Sequence, residues 1–300
     1  MTQKFQSGFV AIIGRPNAGK STLLNNIIGQ KIAIMSDKPQ TTRNKIQGVY
    51  TSEHSQIVFL DTPGIHKPKH KLGEYMVQTA LNTIREVEAV LYVVDSTSPY
   101  GGGEEYILQI LAQSKTPVLL ILNKIDLIPK NEILTLIAEY SQRFNFAEII
   151  PLSALQGENV QHLLDVLTSY LPEGPKYYPE DMVTDQPERL VIAELIREKI
   201  FTLTEQEIPH SVAVQVEVIQ ERKRGSVYIG ASIYVERDSQ KGIIIGKKGQ
   251  MLKEIGQLAR ADIESLLGSR IFLELWVKVR SDWRTKTNYL QDFGYGGKNL

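Results

Sequence analysis

The sequence contains no cysteine, no long apolar run and no excess of either charge. The absence of cysteine excludes disulfides, thiolate catalysis and cysteine-bound metal clusters, and it is consistent with a reducing compartment. No apolar run approaches the roughly 18 residues that a membrane-spanning helix needs. The first residues, MTQKFQSGFVAII, predict a strand rather than a secretion signal. Lysine plus arginine number 34, as do aspartate plus glutamate, so the overall charge indicates no partner.

The chain has 300 residues, of which 42% are hydrophobic and 23% charged. This is an ordinary globular balance, and the length suits about two domains. Short apolar runs that fit buried parallel strands occur at 9–14, 56–61, 89–95, 117–124 and 148–154. Helical patterns such as 21–29 and 105–113 fall between them, which predicts a doubly wound α/β domain. We expect the run at 45–50 to pair with 56–61 as an antiparallel hairpin.

Composition changes near residue 171, where the segment 171–188 contains four prolines and five acidic residues. We therefore expect an α/β domain at 1–172, a linker at 173–187 and a second domain at 188–300. In the second domain apolar residues alternate at 212–218, 227–235 and 271–279, and helical patterns cover 189–203 and 250–267. This order predicts a small α+β domain built on antiparallel strands.

The segment GRPNAGKS, residues 14–21, fits the phosphate-binding pattern G-x-x-x-x-G-K-S between a strand and a helix. Its glycines allow successive main-chain N–H groups to point at phosphate oxygens, and the following helix N-terminus favours negative charge. Lys20 is expected on the β- and γ-phosphates, and the Ser21 hydroxyl on Mg²⁺. The predicted phosphate contacts are Gly14, Arg15, Pro16, Asn17, Ala18, Gly19, Lys20 and Ser21.

The segment DTPGI follows the second predicted parallel strand. Asp61 is placed to support Mg²⁺, as the carboxylate after such a strand does in other P-loop proteins. The N–H of Gly64 is expected to approach a γ-phosphate. The predicted nucleotide contacts in this segment are Asp61, Thr62, Pro63, Gly64 and Ile65.

The segment NKID, residues 123–126, indicates the base that the site selects. The carboxylate of Asp126 can accept hydrogen bonds from N1–H and the exocyclic amine of guanine, whereas adenine has no N1–H. Asn123 and Lys124 would hold the loop and cover the ring, and Ile125, which precedes Asp126, is the remaining predicted contact of this segment. After the last strand comes SAL, where Ser153 and Ala154 are expected at the site and the Ala154 N–H could meet the guanine oxygen.

The second domain contains the loop Gly246-Lys247-Lys248-Gly249 ahead of a predicted helix. Such a loop admits a nucleic-acid backbone closely, and Ile244 and Ile245 would form an apolar floor for bases. Basic residues including Arg222 and Arg224 give 222–249 a local excess of five positive charges. The alternatives are a tight turn in an ordinary domain and a solvated basic hairpin.

The motifs GRPNAGKST, QTTR, DTPG, NKID and SAL, in this order, resemble those of translation-factor-type GTPases and closely resemble the Era family. The resemblance continues into the second domain and implies a P-loop GTPase domain followed by a type II KH-like domain. It also implies a monomer in the cytoplasm that binds the 3′ end of 16S ribosomal RNA and assists 30S subunit assembly. Peripheral contact with the inner membrane is a further implication.

The same resemblance indicates Thr42 as the switch threonine that would cap Mg²⁺ when a γ-phosphate is present, with Thr41 as the alternative. Ile65 occupies the position where many GTPases carry a water-orienting glutamine, and we expect it to pack against the domain. The candidate catalytic residues are Lys20, Asn17, Thr42 and Gly64; His66 is a weaker candidate for a base. We hypothesise that the Asn17 amide oxygen binds K⁺ and that unassisted hydrolysis is slow.

Two other functions fit parts of the sequence. A P-loop kinase for a small molecule would share residues 14–21, but NKID argues against it. A GTP-controlled docking protein would share the first domain and use the second to bind protein. Competition between guanine and adenine nucleotides separates the first alternative, and a gel shift with single-stranded RNA separates the second.

Overall fold

The structure is a computed structural model that describes residues 4–36, 38, 40–66, 68, 70–222 and 225–295. It divides into two compact units. The first comprises Met1–Ala33, Thr42–Pro68 and Met76–Asp185. The second comprises Ile34–Thr41, Lys69–Tyr75 and Gln186–Leu300. Within the described residues, no helix combines the length and apolar character needed to cross a bilayer.

The first unit is built on a six-stranded sheet in the order β2-β3-β1-β4-β5-β6. Its strands are β1 (Gln6–Gly14), β2 (Ile46–Thr51), β3 (Ser55–Asp61), β4 (Ala89–Asp95), β5 (Val118–Asn123) and β6 (Glu148–Leu152). All neighbouring strands run parallel except β2 and β3, which form an antiparallel pair. The predicted mostly parallel sheet and its edge hairpin are therefore confirmed.

Helices cover both faces of this sheet, as the strand–helix alternation predicts. They are α1 (Lys20–Ile28), α2 (Lys71–Ile84), α3 (Gly102–Leu111), α4 (Lys130–Ser141) and α5 (Val160–Tyr170), with a 3₁₀ turn at Ile125–Leu127. Along β1, Val10 and Ile12 pack into one apolar layer, whereas Ala11 and Ile13 pack into the other. Because both faces are buried, the strand reads as a continuous apolar run.

Most of the segment predicted as a linker, up to Asp185, falls within the first unit, where its backbone bonds to β2 and β3. The Gln56 side chain accepts the N–H groups of Tyr177 and Tyr178 at 2.7 and 3.0 Å and donates to the Tyr178 carbonyl at 2.9 Å. The Val49 N–H donates to the Val183 carbonyl at 2.8 Å. These bonds satisfy backbone groups that a free linker would leave to water.

The second unit contains a three-stranded sheet in the order β7-β8-β9, packed against helices. Its elements are α6 (Glu188–Leu203), α7 (Ile208–Ser211), β7 (Ala213–Arg222), β8 (Ser226–Val235), α8 (Asp238–Ile245), the 3₁₀ turn Lys247–Gly249, α9 (Gln250–Leu267), β9 (Ile271–Val279) and α10 (Thr287–Asp292). The helix predicted at 250–267 is confirmed as α9, and Ile255, Ala259 and Ile263 on one of its faces are fully buried.

Two details of this sheet differ from the sequence prediction. β7 and β8 are antiparallel, but β8 and β9 are parallel, because α8 and α9 cross over between them and return the chain in the same direction. A bulge between Val216 and Val218 also reverses the alternation of β7. Val216 is therefore buried, whereas Val218 is 40% exposed rather than buried as its spacing predicts.

Candidate functional site

The loop between β1 and α1 bends in the way the glycine pattern predicts. Gly19 has a φ of 93°, and Asn17, which is not a glycine, has a φ of 67°. A Cβ at Gly19 would lie 2.1 Å from the side-chain nitrogen of Asn123, so no other residue fits there without displacing that side chain. Close approach and a left-handed backbone both require glycine at this position.

Lys20 begins α1 and is almost completely buried. Its ammonium donates to the main-chain oxygens of Arg15 at 2.9 Å and Gly14 at 3.3 Å. Burial lowers the pKa of Lys20 to about 8, and the charge of Asp61 partly opposes this shift. The cation therefore lies inside the curled loop, at the position predicted for phosphate binding.

The three predicted magnesium ligands lie together beside Lys20. The Ser21 hydroxyl is 2.7 Å from a carboxylate oxygen of Asp61 and 3.0 Å from the Thr42 hydroxyl. The other Asp61 oxygen, Oδ1, is buried and has no hydrogen-bond partner among the described residues. Burial raises the pKa of Asp61 to about 6 against the opposing charge of Lys20. Two hydroxyls and an unsatisfied carboxylate oxygen fit Mg²⁺, which prefers hard oxygen ligands.

The structure distinguishes the two threonines that the sequence left open. The Thr42 hydroxyl points to Ser21, whereas the Thr41 hydroxyl donates to the main-chain oxygen of Lys38 at 2.5 Å. Only Thr42 therefore joins the cluster of Ser21 and Asp61.

The segment after β3 is held tightly against the phosphate loop. A Cβ at Gly64 would come within 2.6 Å of the Pro16 nitrogen, so this contact requires glycine. The Ile65 N–H donates to the Gly14 carbonyl at 3.1 Å, and its side chain is buried in the apolar layer under the sheet. The predicted packing of Ile65 is confirmed. Thr62 is buried and bonds to the Ile12 carbonyl, which gives it a structural role.

His66, the weaker candidate for a base, lies beside the same segment. Its Nδ1 is 3.0 Å from the Gly64 main-chain oxygen. This contact fixes one ring nitrogen on the protein backbone.

Asn123 connects the phosphate loop to the loop after β6. Its amide nitrogen donates to the Ala18 carbonyl at 2.8 Å, and its amide oxygen accepts the Ala154 N–H at 2.9 Å. The Ala154 N–H therefore has a protein partner in this structure, and its contact with guanine stays a prediction. Ser153 is buried, and its hydroxyl accepts the Gln156 N–H at 3.1 Å.

The remaining residues predicted to bind the base follow Asn123 directly. Lys124 has a φ of 67°, and its ammonium lies 2.5 Å from Asp95 at the end of β4. Ile125 is buried, whereas the Asp126 side chain is exposed at the start of the 3₁₀ turn. An exposed carboxylate beside an anchored lysine can accept two hydrogen bonds from a guanine edge. Asp95 was missed by sequence reasoning, although its place at the carboxyl end of a parallel strand was a usable signal.

A second missed residue is Glu104 of α3, which is 4% exposed. One of its oxygens accepts a 2.8 Å hydrogen bond from Arg15, and the other accepts the Gly101 N–H at 3.1 Å. The Arg15 side chain therefore turns toward α3, and it anchors the phosphate loop to that helix.

The glycine loop of the second unit has the backbone that its sequence requires. Gly246, Lys248 and Gly249 have φ angles of 71°, 50° and 78°. Nothing lies within 4 Å of a Cβ built at Gly249. The loop precedes α9 directly, so a phosphate placed over Gly249 would also meet a helix N-terminus.

The predicted RNA contacts around this loop need one correction. Ile244 is fully buried in the apolar core, so its side chain supports the loop and cannot line a floor for bases. Ile245 is partly buried against the same core. The Arg222 guanidinium lies 4.4 Å from the Tyr228 ring centre and 5.1 Å from that of Phe272. Arg224 lies outside the described residues.

Two family models match separate parts of the chain. The model described as a 50S ribosome-binding GTPase matches residues 9–124. The model described as a KH domain matches residues 207–284. These matches confirm the predicted combination of domains.

Two solved structures are similar over nearly the whole chain. One is a single-residue variant of Era from Aquifex aeolicus bound to GDP·AlF4⁻, and the other is Era in complex with MgGDPNP and nucleotides 1506–1542 of 16S ribosomal RNA. Each is 44% identical, covers 98% of this chain and 100% of its own, and has a TM-score of 0.95. Identity at this level over the full length favours the GTPase over the kinase and docking alternatives. The chain belongs to the Era family of GTPases.

Proposed function

We propose that this protein is a GTP-hydrolysing switch that binds the 3′ end of 16S ribosomal RNA and assists assembly of the small ribosomal subunit. The observation that carries the proposal is the cluster of Ser21, Thr42 and Asp61 beside the buried Lys20. Membership of the Era family supports GTP hydrolysis as the activity, and the relative in complex with nucleotides 1506–1542 of 16S ribosomal RNA supports that RNA as the partner.

Hydrolysis in this site depends on positioning and charge, because phosphoryl transfer needs little covalent chemistry from the protein. Lys20 would exchange the carbonyls of Gly14 and Arg15 for phosphate oxygens and place its charge on them. Gly64 would bring a main-chain N–H to the γ-phosphate. Mg²⁺, held by Ser21, Thr42 and Asp61, would supply further positive charge against the β- and γ-phosphates. The Ile65 side chain cannot orient an attacking water, because it is apolar and buried.

We assign the selection of guanine to Asp126. A substitution at this residue tests that assignment. Asp126→Asn replaces one acceptor with a donor, which suits xanthine, because xanthine carries an oxygen where guanine carries the exocyclic amine. We expect the variant to prefer xanthine over guanine nucleotides by at least about 10²-fold. Titration of both nucleotides into wild type and variant measures this. Equal preference of the variant for adenine and xanthine nucleotides would remove the assigned role.

RNA binding rests on the loop Gly246–Gly249 and on the basic residues near it. We expect single-stranded RNA with the sequence of the 16S 3′ end to crosslink at Lys247 and Lys248. We also propose that the bound nucleotide controls this affinity, because one chain carries both modules. If the RNA affinity is identical with GDPNP and with GDP bound, the nucleotide does not control it, but the proposal of RNA binding still stands.

The proposed location is the cytoplasm, where small subunits assemble, with peripheral contact to the inner membrane. Sedimentation with lipid vesicles, with and without RNA, tests the membrane contact. If the protein binds neither anionic nor neutral vesicles, the proposed membrane contact is rejected.

A further inference from the structure

A buried arginine of α6 binds the backbone of the segment that leads to the switch threonine. Arg197 is fully buried. Its Nη2 donates to the Thr41 carbonyl and its Nη1 to the Gln40 carbonyl, the latter at 3.5 Å. Its Nε donates to Glu194 at 2.9 Å. The guanidinium thus joins α6 to a loop within the second unit.

The same helix holds this loop at two further points. The Met35 N–H donates to Glu198 at 3.0 Å. The Lys38 ammonium donates to the carbonyls of Phe201 and Thr204 at the end of α6. The backbone of 34–41, which has no regular secondary structure in its described residues, therefore takes its position from this helix.

A buried charge in such a place is not explained by stability alone. Burial of an ion pair costs desolvation, and apolar side chains of similar volume often stabilise a core as well or better. Arginine, however, spreads five N–H donors over one rigid plane, whereas the donors of lysine all radiate from a single nitrogen on a flexible stem. The geometry of the Arg197 contacts therefore points to orientation of the loop backbone.

The orientation matters because the next residue along the chain is Thr42. The Thr42 hydroxyl lies 3.0 Å from that of Ser21, in the cluster that fits Mg²⁺. We infer that Arg197 is a positioning residue for the γ-phosphate-dependent magnesium site, acting through the Thr41–Thr42 peptide. This inference rests on the proposed role of Thr42 and deepens it, because the main-chain group next to Thr42 is then held by a named side chain.

The test compares the binding of GDPNP, which carries a γ-phosphate group, with the binding of GDP, which does not. Thr42 is proposed to bind Mg²⁺ only when a γ-phosphate is present, so a misplaced Thr42 weakens GDPNP binding and not GDP binding. Arg197→Lys keeps a positive charge beside Glu194 but loses the planar spread of N–H groups that reaches the Gln40 and Thr41 carbonyls from separate nitrogens. We expect it to raise the Kd for GDPNP about tenfold and to change the Kd for GDP less than about twofold, both in Mg²⁺.

A matched control lies on the same helix. Arg189 also donates to two carbonyls, those of Val216 and Glu217, but neither belongs to the switch segment. Arg189→Lys is expected to change neither Kd. If a lysine in α6 simply lowers the stability of the protein, both variants should bind GDP and GDPNP more weakly.

A double-mutant cycle separates the two levels of the proposal. Thr42→Ala should weaken the binding of GDPNP but not that of GDP. Adding Arg197→Lys to this variant should then cause no further loss of GDPNP affinity, because both substitutions act through one contact. Additive losses, or equal losses for GDP and GDPNP in Arg197→Lys, would overturn the inference while Thr42 keeps its role. If Thr42→Ala leaves the GDPNP-to-GDP ratio unchanged, the assigned role of Thr42 fails and the inference fails with it.

Discussion

The side-chain amide of Asn123 donates a 2.8 Å hydrogen bond to the main-chain oxygen of Ala18. Asn123 ends β5, and Ala18 lies in the phosphate loop, 105 residues earlier in the chain. Because the same side chain also accepts the Ala154 N–H, it links the loop predicted to bind phosphate to the two loops predicted to bind the base. We therefore expect a change at this one buried residue to affect the recognition of both phosphate and base.

Asn123→Asp should disrupt this connection with almost no change in shape. The variant replaces a donor with a carboxylate oxygen that faces the Ala18 carbonyl, so a buried acceptor is left without a partner. We expect the free energy of GDP binding to weaken by about 2–3 kcal/mol. Isothermal titration measures it.

Asn159→Asp is the control for the Asn123 variant. Its amide nitrogen also donates to a carbonyl, that of Pro151 at 2.9 Å, but it is exposed. We expect unchanged GDP affinity in this variant. An equal loss in both would point to general destabilisation instead of a broken link.

The raised pKa of Asp61 predicts an unusual pH dependence. In the nucleotide-free protein its pKa is about 6 instead of 3.8, so between these values the folded state holds a proton that the unfolded state has released. Ionisation of Asp61 therefore destabilises the folded state as pH rises through this window, opposite to the usual carboxylate. Relative to Asp61→Asn, we expect nucleotide-free wild type to lose roughly 2–3 kcal/mol of unfolding free energy between pH 4 and pH 7.

Urea unfolding at several pH values measures this difference, and the variant cancels the contributions of other titrating groups. A wild type that gains stability relative to Asp61→Asn as pH rises would show that Asp61 is already paired. Mg²⁺ and GDP should remove the loss, because bound Mg²⁺ favours the carboxylate.

The proposed K⁺ site depends on the amide oxygen of Asn17. Asn17 is exposed and has a φ of 67°, so Asn17→Gly removes the amide without straining the backbone. We expect wild type to hydrolyse GTP slowly, and about tenfold faster in K⁺ than in Na⁺. The glycine variant should show no such difference and should bind GDP within about threefold of wild type. Equal wild-type rates in the two salts would reject the K⁺ site.

The parts of the fold that the sequence predicted are those with a local cause. The parallel strands of the first unit appear as apolar runs because both their faces are buried, and Gly19 and Gly64 lie where close approach requires glycine. The direction of β9 was not predictable from its own residues, because alternation is the same in parallel and antiparallel strands.

The functional contacts that the sequence did not predict join positions far apart in the chain. Arg197 and Thr41 are separated by 156 residues, Arg15 and Glu104 by 89, and no local pattern marks either pair. Ile244 was misassigned because an apolar residue beside a glycine loop can face either the core or a ligand. Only the packing of α8 decides that it faces the core.

The glycine loop of the second unit offers a test that separates charge from shape. Gly249→Asp and Gly249→Asn differ by one charge, and both side chains tolerate the left-handed backbone that Gly249 adopts at φ 78°. If a phosphate approaches Lys247 and Lys248 here, the aspartate repels it. We expect Gly249→Asp to weaken binding of the 16S 3′-end RNA at least about tenfold and Gly249→Asn less than about threefold.

Gel shifts at two salt concentrations measure this, with GDP affinity as the check that the first unit is intact. Equal losses in both variants would mean that the loop excludes any side chain by close approach, and unchanged binding in both would remove the loop from the RNA interface.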